Sequence, residues 1–357
     1  STAAVDAAGT THTWHLLDNA PDLAARGVEP AGTLLCVHGN PTWSYLWRTL
    51  AAAGSTADRP WRVIAVDQLD MGFSDRTGTF RRLADRITDL GDLTGALGLT
   101  GPVVSVGHDW GGIISLGWAL AHRKQLAGVV LTNTAVHPAG FSLPPALRLA
   151  LHPAVHGWGT RTTDGFLRLT RSVGRPALLP EVRQAYAEPY RSAARREGVG
   201  NFVADIPADE THPSYRTLSR VAEGIRELDV PVLALWGPKD PVFSDRYLRD
   251  LISRLPQADV HRFEGAGHLV AEDRDIASPV YAWLDAVHAA GPGQAAAPKQ
   301  APAAKTQRSG FRPMLAELDE RSSDDSPAVV DMAPAESGKA PAVLSLAERG
   351  SRVNALA

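Results

Sequence analysis

The sequence has a single cysteine, Cys36, which excludes a disulfide bond within the chain. It has no apolar run of about 18 residues, the length that a membrane-spanning helix needs, and residues 1–10 do not resemble a signal peptide. We therefore expect a cytoplasmic protein with no membrane span. The net charge is −3 and no strongly basic stretch occurs, which argues against nucleic acid as a partner.

Metal-ligand spacing is also missing, because the 12 histidines are scattered along the chain. We accordingly expect neither a metal site nor a cofactor. The composition that remains, 44% hydrophobic and 21% charged residues, is typical of a globular protein. A length of 357 residues is enough for one α/β domain and an additional segment.

Short apolar or β-branched runs alternate along the chain with segments of helical spacing. Strands are predicted at residues 11–19, 33–38, 62–67, 103–108, 126–132, 230–236 and 258–263. The intervening segments, such as the helical pattern of 82–98, are long enough for right-handed crossovers. This alternation predicts an α/β fold with a mainly parallel, twisted sheet.

One stretch, residues 103–118, combines a strand, a sharp turn and a helix. A buried strand leads into Gly107-His108-Asp109-Trp110-Gly111, and an apolar segment with helical spacing follows. This pattern resembles the nucleophile elbow of the α/β-hydrolase fold, whose glycines permit close packing of strand and helix. The central residue is Asp109, and a carboxylate, which is ionised at neutral pH, can attack an sp³ carbon that carries a leaving group. The competing interpretation is that Asp109 only caps the helix.

A base and an orienting acid are found after the last two predicted strands. His268 follows the final strand in EGAGHLVAED, and a histidine there is suited to general-base work. Asp240 follows strand 230–236 in LWGPKDPVF, where a carboxylate can orient His268. A surface role for His268 and a turn role for Asp240 are the alternatives. The other possible acid position, after strand 126–132, has no carboxylate.

Hydrogen-bond donors for an anion are predicted on two loops. Asn40 lies in His38-Gly39-Asn40-Pro41, directly after strand 33–38, and Trp110 follows the nucleophile. The backbone N–H groups of these two residues can form an oxyanion hole. The Asn40 amide and the Trp110 indole N–H can also donate to a leaving anion.

The stretch 137–225 interrupts the alternation, because it contains no convincing strand and has helical patterns around 144–152, 163–173, 181–198 and 214–226. About 90 residues is too long for a single crossover, so we predict a helical cap inserted over the carboxyl edge of the sheet. The core then consists of residues 1–136 and 226–288. An Ala/Pro/Gly-rich flexible linker is predicted at 289–308, and residues 309–357 have too few apolar residues for a domain of their own.

The motifs HGNPTWSYLWR, GHDWGG, WGPKDPVF and GAGH resemble the α/β-hydrolases with an aspartate nucleophile. These are haloalkane dehalogenases, epoxide hydrolases and the β-lactone decarboxylases of bacterial long-chain olefin biosynthesis. The resemblance covers residues 12–288 and implies a small hydrophobic substrate, with Asn40 and Trp110 as halide-type donors. It also implies an apolar tunnel, for which the candidate wall residues are Phe141, Trp158, Phe166 and Phe202. An epoxide hydrolase needs two cap tyrosines, and the candidates are Tyr186, Tyr190 and Tyr215.

The tail, residues 309–357, favours one of these three enzyme classes. Residues 309–357 resemble the first segment of an adenylate-forming enzyme of the acyl-CoA synthetase superfamily, so the chain is expected to stop inside that domain. Such a fusion resembles the olefin pathway and implies a cis-β-lactone decarboxylase that yields a cis-alkene and CO₂ and acts beside other olefin-pathway enzymes. Haloalkane dehalogenase and epoxide hydrolase stay open as alternatives, as does a non-catalytic interaction module.

Overall fold

A computed structural model describes residues 1–136, 143 and 145–288 of the chain. The predicted linker 289–308, the tail 309–357 and Phe141 lie outside these residues. No helix in the described part of the chain has the length and apolar character needed to cross a membrane.

The described residues form nine strands. These are β1 (Thr2–Val5), β2 (Thr11–Trp14), β3 (Leu16–Asp18), β4 (Thr33–Val37), β5 (Arg62–Val66), β6 (Val103–His108), β7 (Leu126–Thr132), β8 (Val232–Trp236) and β9 (Asp259–Arg262). Strands β1 and β2 pair in a separate antiparallel sheet. The other seven form one sheet in the order β3-β5-β4-β6-β7-β8-β9, in which only β3 is antiparallel to its neighbour.

Thirteen α-helices are described. They are α1 (Ala20–Ala25), α2 (Arg48–Gly54), α3 (Leu83–Ala96), α4 (Trp110–Ala121), α5 (Pro145–Leu151), α6 (Pro153–Gly157), α7 (Gly165–Ser172), α8 (Pro180–Ala187), α9 (Glu197–Ala204), α10 (Tyr215–Gly224), α11 (Asp245–Arg254), α12 (Val270–Asp273) and α13 (Ala277–His288). A π-helical turn, Trp158–Thr162, joins α6 to α7. Short 3₁₀ segments occur at Ser44–Trp47, Glu188–Tyr190, Ala194–Arg196 and Ile225–Glu227.

The central strands are buried on both faces, as expected for a parallel sheet with helices on each side. Every residue of β6 and β8 is buried, and the run VVSVGH of β6 is apolar and β-branched enough to fill that position. Because β4, β6, β7 and β8 run in the same direction, their carboxyl ends meet at one edge of the sheet. At this edge Val37 pairs with Gly107, and His108 pairs with Thr132.

Helices α5–α10 lie between β7 and β8, and among the described residues of this segment there is no strand. We refer to the described residues of 137–225 as the cap. The fold is thus the predicted α/β-hydrolase arrangement, a mostly parallel sheet with a helical insertion between core strands.

Two details differ from the sequence-based expectations. The strand predicted at 11–19 is broken at His15 into β2 and β3, which belong to different sheets. A continuous helical pattern at 181–198 is divided into α8, two 3₁₀ turns and the start of α9. Pro189 accounts for this break, because proline has no N–H for the helical ladder.

Candidate active site

The turn between β6 and α4 presents Asp109 at the carboxyl edge of the sheet. Asp109 has φ 53° and ψ −127°, a left-handed backbone conformation that is rare for a residue with a side chain. The neighbouring glycines allow the tight packing of this turn. A Cβ on Gly111 would lie 2.1 Å from the carbonyl oxygen of Val37, and one on Gly107 would lie 2.5 Å from the Cα of Gly112. The elbow therefore cannot accept side chains at these two positions without moving backbone.

Hydrogen bonds hold Asp109 from both sides. Its backbone N–H donates to the carbonyl of Asn133 at 3.1 Å, and the hydroxyl of Thr134 donates to the Asp109 carbonyl at 2.6 Å. The backbone N–H of Trp110 donates to the carboxylate Oδ1 of Asp109. In this structure that N–H therefore contacts the nucleophile itself, and its predicted part in an oxyanion hole stays a prediction. The other carboxylate oxygen, Oδ2, faces His268.

The structure brings the three predicted catalytic side chains into one line. Nε2 of His268 lies 3.4 Å from Oδ2 of Asp109, and Nδ1 lies 2.9 Å from Oδ2 of Asp240. The imidazole of His268 and the carboxylate of Asp240 are both buried. This is the nucleophile–histidine–acid geometry in which each group orients the next.

The two carboxylates control the protonation of His268. Burial alone lowers the pKa of the imidazole, but the carboxylates of Asp240 and Asp109 outweigh burial and raise that pKa to about 10. Burial alone would raise the pKa of Asp240, but the charge of His268 and its hydrogen bond, with the N–H groups of Val242 and Phe243, hold it below its ordinary value. His268 is therefore an imidazolium at neutral pH in the resting site.

Two residues that the sequence analysis did not place in the site fix this line of groups. Nδ2 of Asn133 donates to Oδ2 of Asp240 at 2.8 Å and to the carbonyl of Gly237 at 2.9 Å. His108 donates from Nε2 to the carbonyl of His268 at 2.8 Å, and burial lowers its pKa to about 4, so it is neutral. His108 ends β6 and Asn133 follows β7 at the carboxyl edge of the sheet. This position at a strand end is the feature of the sequence that could have identified them as site residues. Asn133 thus occupies the other possible acid position, after β7, and its hydrogen bond holds the carboxylate of Asp240 in place.

Asn40 and Trp110 lie at the same cavity as Asp109 and His268. Nδ2 of Asn40 donates to the carbonyl of Val199 at 3.1 Å, and its second N–H has no protein partner among the described residues. The Trp110 indole packs edge-on against Phe202, with ring centroids 5.5 Å apart, and its N–H also has no hydrogen-bond partner in the described part of the chain. Both groups can therefore donate a hydrogen bond to an anion in the cavity.

The cavity above Asp109 has a volume of about 350 Å³ and lies between the sheet edge and the cap. Its walls are mainly apolar. The residues that line it are Asn40, Leu83, Asp109, Trp110, Ile113, Ala135, Leu143, Leu147, Ala150, Phe166, Leu169, Thr170, Val173, Val203, Ile206, Pro207, Leu218, Pro241, Val242, Phe243, Tyr247 and His268. Such a site fits a small hydrophobic molecule that reacts at one polar end.

The four candidate wall residues have different positions. Phe166 lines the cavity from α7. Phe202 does not line it; it is fully buried against Trp110, and the guanidinium of Arg86 lies over its ring, 3.5 Å from the ring centroid. Trp158 does not line it either, and this residue is 65% exposed on the cap surface. Phe141 lies outside the described residues.

The three candidate tyrosines do not reach the cavity. Tyr186 donates its hydroxyl to Glu272 at 2.5 Å, and Tyr190 donates to the carbonyl of Thr42 at 3.0 Å. Tyr215 lies 3.5 Å from Glu210 near the surface. Their hydroxyls are therefore not arranged to protonate an epoxide held at Asp109.

Two acidic residues just after His268 connect the cap to the core. Glu272 binds Arg48 with two hydrogen bonds and also accepts that of Tyr186 from α8. Asp273 accepts from the N–H of Gly267 at 2.7 Å and from the N–H of Arg175 in the cap at 2.6 Å. The loop that carries His268 is thus bonded directly to the cap. Within the described ranges, no group of three or more His, Cys, Asp or Glu is arranged to hold a metal ion.

Comparison with known proteins agrees with this architecture. Residues 32–275 match the family described as alpha/beta hydrolase fold. The chain is 34% identical, over 282 residues, to a cis-3-alkyl-4-alkyloxetan-2-one decarboxylase from Xanthomonas campestris pv. campestris, covering 74% of this chain and 93% of the relative. The chain belongs to the α/β-hydrolase family. Within that family it is also 31% identical to haloalkane dehalogenase 2 of Mycobacterium tuberculosis, over 67% of this chain and 82% of that protein.

Solved structures of α/β-hydrolases show the same fold. A haloalkane dehalogenase from Agrobacterium tumefaciens C58 superposes with a TM-score of 0.68 at 21% identity, covering 80% of this chain and 96% of its own. This likeness concerns the fold of the core and cap.

Proposed function

We propose that this α/β-hydrolase is a cis-β-lactone decarboxylase that converts a cis-3,4-dialkyl β-lactone into a cis-alkene and CO₂. The similarity to the Xanthomonas decarboxylase over 93% of that relative supports the substrate class. The observation that carries the proposal is Asp109, a carboxylate nucleophile paired with a protonated His268 in an apolar cavity.

The chemistry of the ring favours attack at its sp³ carbon. When Asp109 bonds to the carbon that carries the ring oxygen, the carbon–oxygen bond breaks and its electron pair remains on a free substrate carboxylate. That carboxylate then leaves as CO₂, its bonding electrons form the alkene, and the ester bond to Asp109 breaks to regenerate the carboxylate. Attack at the carbonyl would instead give an anhydride that retains the carbon destined to leave. The first route consumes no water and no proton.

Each neighbouring group has a role in this sequence. Asn40 and Trp110 donate to the substrate carboxylate as the ring opens, because their cavity-side N–H groups have no protein partner in the described chain. The imidazolium of His268 stabilises the Asp109 carboxylate as its negative charge returns in the second step. Asp240 holds His268 in its charged form.

Haloalkane dehalogenation is the second candidate, since the same nucleophile and donors suit a halide and the Mycobacterium relative carries that name. It requires a neutral histidine to activate water after the ester has formed. Epoxide hydrolysis is less well supported, because the hydroxyls of Tyr186, Tyr190 and Tyr215 are bonded away from the cavity.

Parallel assays of the full chain test the proposal. A long-chain cis-β-lactone, a haloalkane and an epoxide are supplied separately, and alkene, halide and diol are measured. We expect alkene from the lactone, and we expect Asp109→Ala to reduce the rate by on the order of 10⁴-fold or more. Halide or diol without alkene, or full lactone turnover by Asp109→Ala, would contradict the proposal.

The wider setting is part of the same proposal. We infer a core of residues 1–136 and 226–288, a cap of 137–225, a linker of 289–308 and the start of an adenylate-forming domain at 309–357. The support for the last is its sequence resemblance. In this setting the enzyme acts in the cytoplasm in olefin biosynthesis, on a β-lactone made by its fused or neighbouring partner.

A further inference from the structure

Exposed apolar side chains are concentrated in one segment of the cap, residues 149–179. Seven large hydrophobic side chains are exposed in the described part of the chain. Four of them lie between residues 149 and 179, namely Leu149, Trp158, Leu169 and Leu179, with exposures of 61%, 65%, 54% and 61%. Single exposed apolar residues are ordinary on a protein surface, but a concentration of this kind marks an interaction site.

The same stretch carries a positive charge. Residues 145–183 include six arginines and two acidic residues, a net charge of +4 in a chain whose net charge is −3. Arg148, Arg175 and Arg183 are exposed, and their guanidinium groups have no carboxylate partner among the described residues. The segment that exposes the apolar side chains therefore also exposes cations that can bind anionic groups.

These residues belong to one continuous layer of short helices. Helix α5 contacts α6, α6 contacts the π-helical turn, that turn contacts α7, and α7 contacts α8. Helices α5 and α7 also supply Leu147, Ala150 and Phe166 to the cavity wall. Leu169 lines the cavity and is 54% exposed, so the cavity reaches the surface in this layer.

We propose that this layer, residues 145–183, docks on an anionic lipid surface and takes up its substrate there. Leucine and tryptophan enter the interfacial region while arginines bind lipid phosphates, as in interfacial helices that lie on a membrane. A lipid surface fits better than a protein partner because, given the proposed function, substrate and product each carry two alkyl chains and partition into hydrocarbon. The opening at Leu169 then faces the lipid phase, and the lactone enters without crossing water.

Vesicle binding by the full chain tests this inference. The protein is sedimented with vesicles of phosphatidylcholine alone or of phosphatidylcholine mixed with phosphatidylglycerol, at low and high salt. We expect at least about tenfold stronger binding to the anionic vesicles, with most of the difference lost at high salt. Absence of binding, or equal binding to both kinds of vesicle, would overturn the proposal and leave the layer to a protein partner.

Matched variants locate the surface. Trp158→Ser with Leu169→Ser should reduce vesicle binding at least about tenfold, whereas Phe80→Ser, at an exposed phenylalanine outside the cap, should not. Arg148→Gln with Arg183→Gln should remove much of the preference for anionic lipid. Arg216→Gln with Arg220→Gln, two exposed arginines on α10, should leave it intact. Equal losses in test and control variants would contradict the assignment.

The outcome does not depend on the reaction. Vesicle binding is measured without substrate, and turnover of a lactone dispersed in detergent is measured without vesicles. Binding without alkene formation would reject the decarboxylase alone, and alkene formation without binding would reject the lipid surface alone.

Discussion

The cavity has one wall from the sheet and one from the cap, and the side chains of the two walls are held in place by different interactions. On the sheet side, Asp109, Asp240 and His268 follow the ends of β6, β8 and β9 and are fixed by hydrogen bonds of 2.6–3.1 Å to neighbouring backbone and side chains. On the cap side, Leu147, Phe166 and other apolar residues pack without directional bonds on short helices. The reaction type therefore depends on the sheet side, and the range of substrates depends on the cap side.

Many polar contacts join the cap to the core, and three of them lie next to the reacting groups. Glu272 accepts a hydrogen bond from the hydroxyl of Tyr186, and Asp273 accepts one from the backbone N–H of Arg175. The carbonyl of Val199 accepts one from the side chain of Asn40. These contacts keep the cap in register with the reacting groups. Substitutions on the sheet side should change rates by orders of magnitude, whereas those on the cap side should change selectivity by small factors.

The largest effect within this comparison is expected for His268→Gln, which removes the cation between two carboxylates. Alkene formation should fall by about 10²–10⁴-fold. Because the pKa of His268 is raised to about 10, the imidazolium persists below that pH and is lost above it. The rate of the unsubstituted enzyme should thus be level through neutral pH and decline as pH rises through about 10, and a pH profile of single-turnover rates measures this.

The variant itself provides the control, because His268→Gln should show no decline near pH 10. A wild-type rate that instead increases between pH 6 and 8 would mean that the neutral imidazole is the active form. That result would favour water activation and a hydrolytic reaction.

A smaller effect is expected for Trp110→Phe, which keeps an aromatic ring against Phe202 but removes the indole N–H. Loss of one donor to a developing anion costs about 10²–10³-fold in rate. The kcat for lactone should fall in this range with little change in thermal stability. Trp283→Phe is the matched control, since its indole N–H donates to Asp259 at 3.1 Å away from the cavity. Equal loss in both variants would show that Trp110 acts only through packing.

The smallest effect is expected on the cap side, for Phe166→Ala. This change enlarges the apolar cavity without touching the reacting groups, so kcat should stay within about threefold while the preferred alkyl chain lengthens. Competition between lactones of different chain length measures the shift in kcat/KM. Phe80→Ala, outside the cavity, should leave the preference unchanged. A large fall in kcat for Phe166→Ala would mean that the cap wall also positions the reacting ring.

The sheet and its catalytic edge could be predicted from the sequence because each depends on short-range signals. The β-branched run of β6, the glycines around Asp109 and the positions of Asp240 and His268 after strands are all visible in short windows. Parallel strands then place these positions at one edge without further information. In the structure, His108 at the end of β6 pairs with Thr132 at the end of β7, so the two strands end at the same edge.

The cap could be predicted as helical but not in detail. Which side of a short helix faces a cavity depends on packing between helices, so Trp158 is on the surface and Phe202 packs against Trp110, whereas Phe166 lines the cavity. The roles of Asn133 and His108 depend on contacts 107 and 160 residues away in the chain. Spacing within one sequence carries no signal for such contacts.

The charge balance of the resting site affects how well it discriminates between the lactone and the hydrolysed lactone. Asp109, Asp240 and the imidazolium of His268 together carry one net negative charge in a mainly apolar cavity. Ring opening of a lactone moves the charge of Asp109 to the substrate without adding another. A hydroxy acid formed when the lactone hydrolyses in water would instead bring a second negative charge into a medium that solvates it poorly. The site should therefore bind the hydrolysis product of its substrate weakly, although the two molecules carry the same alkyl chains.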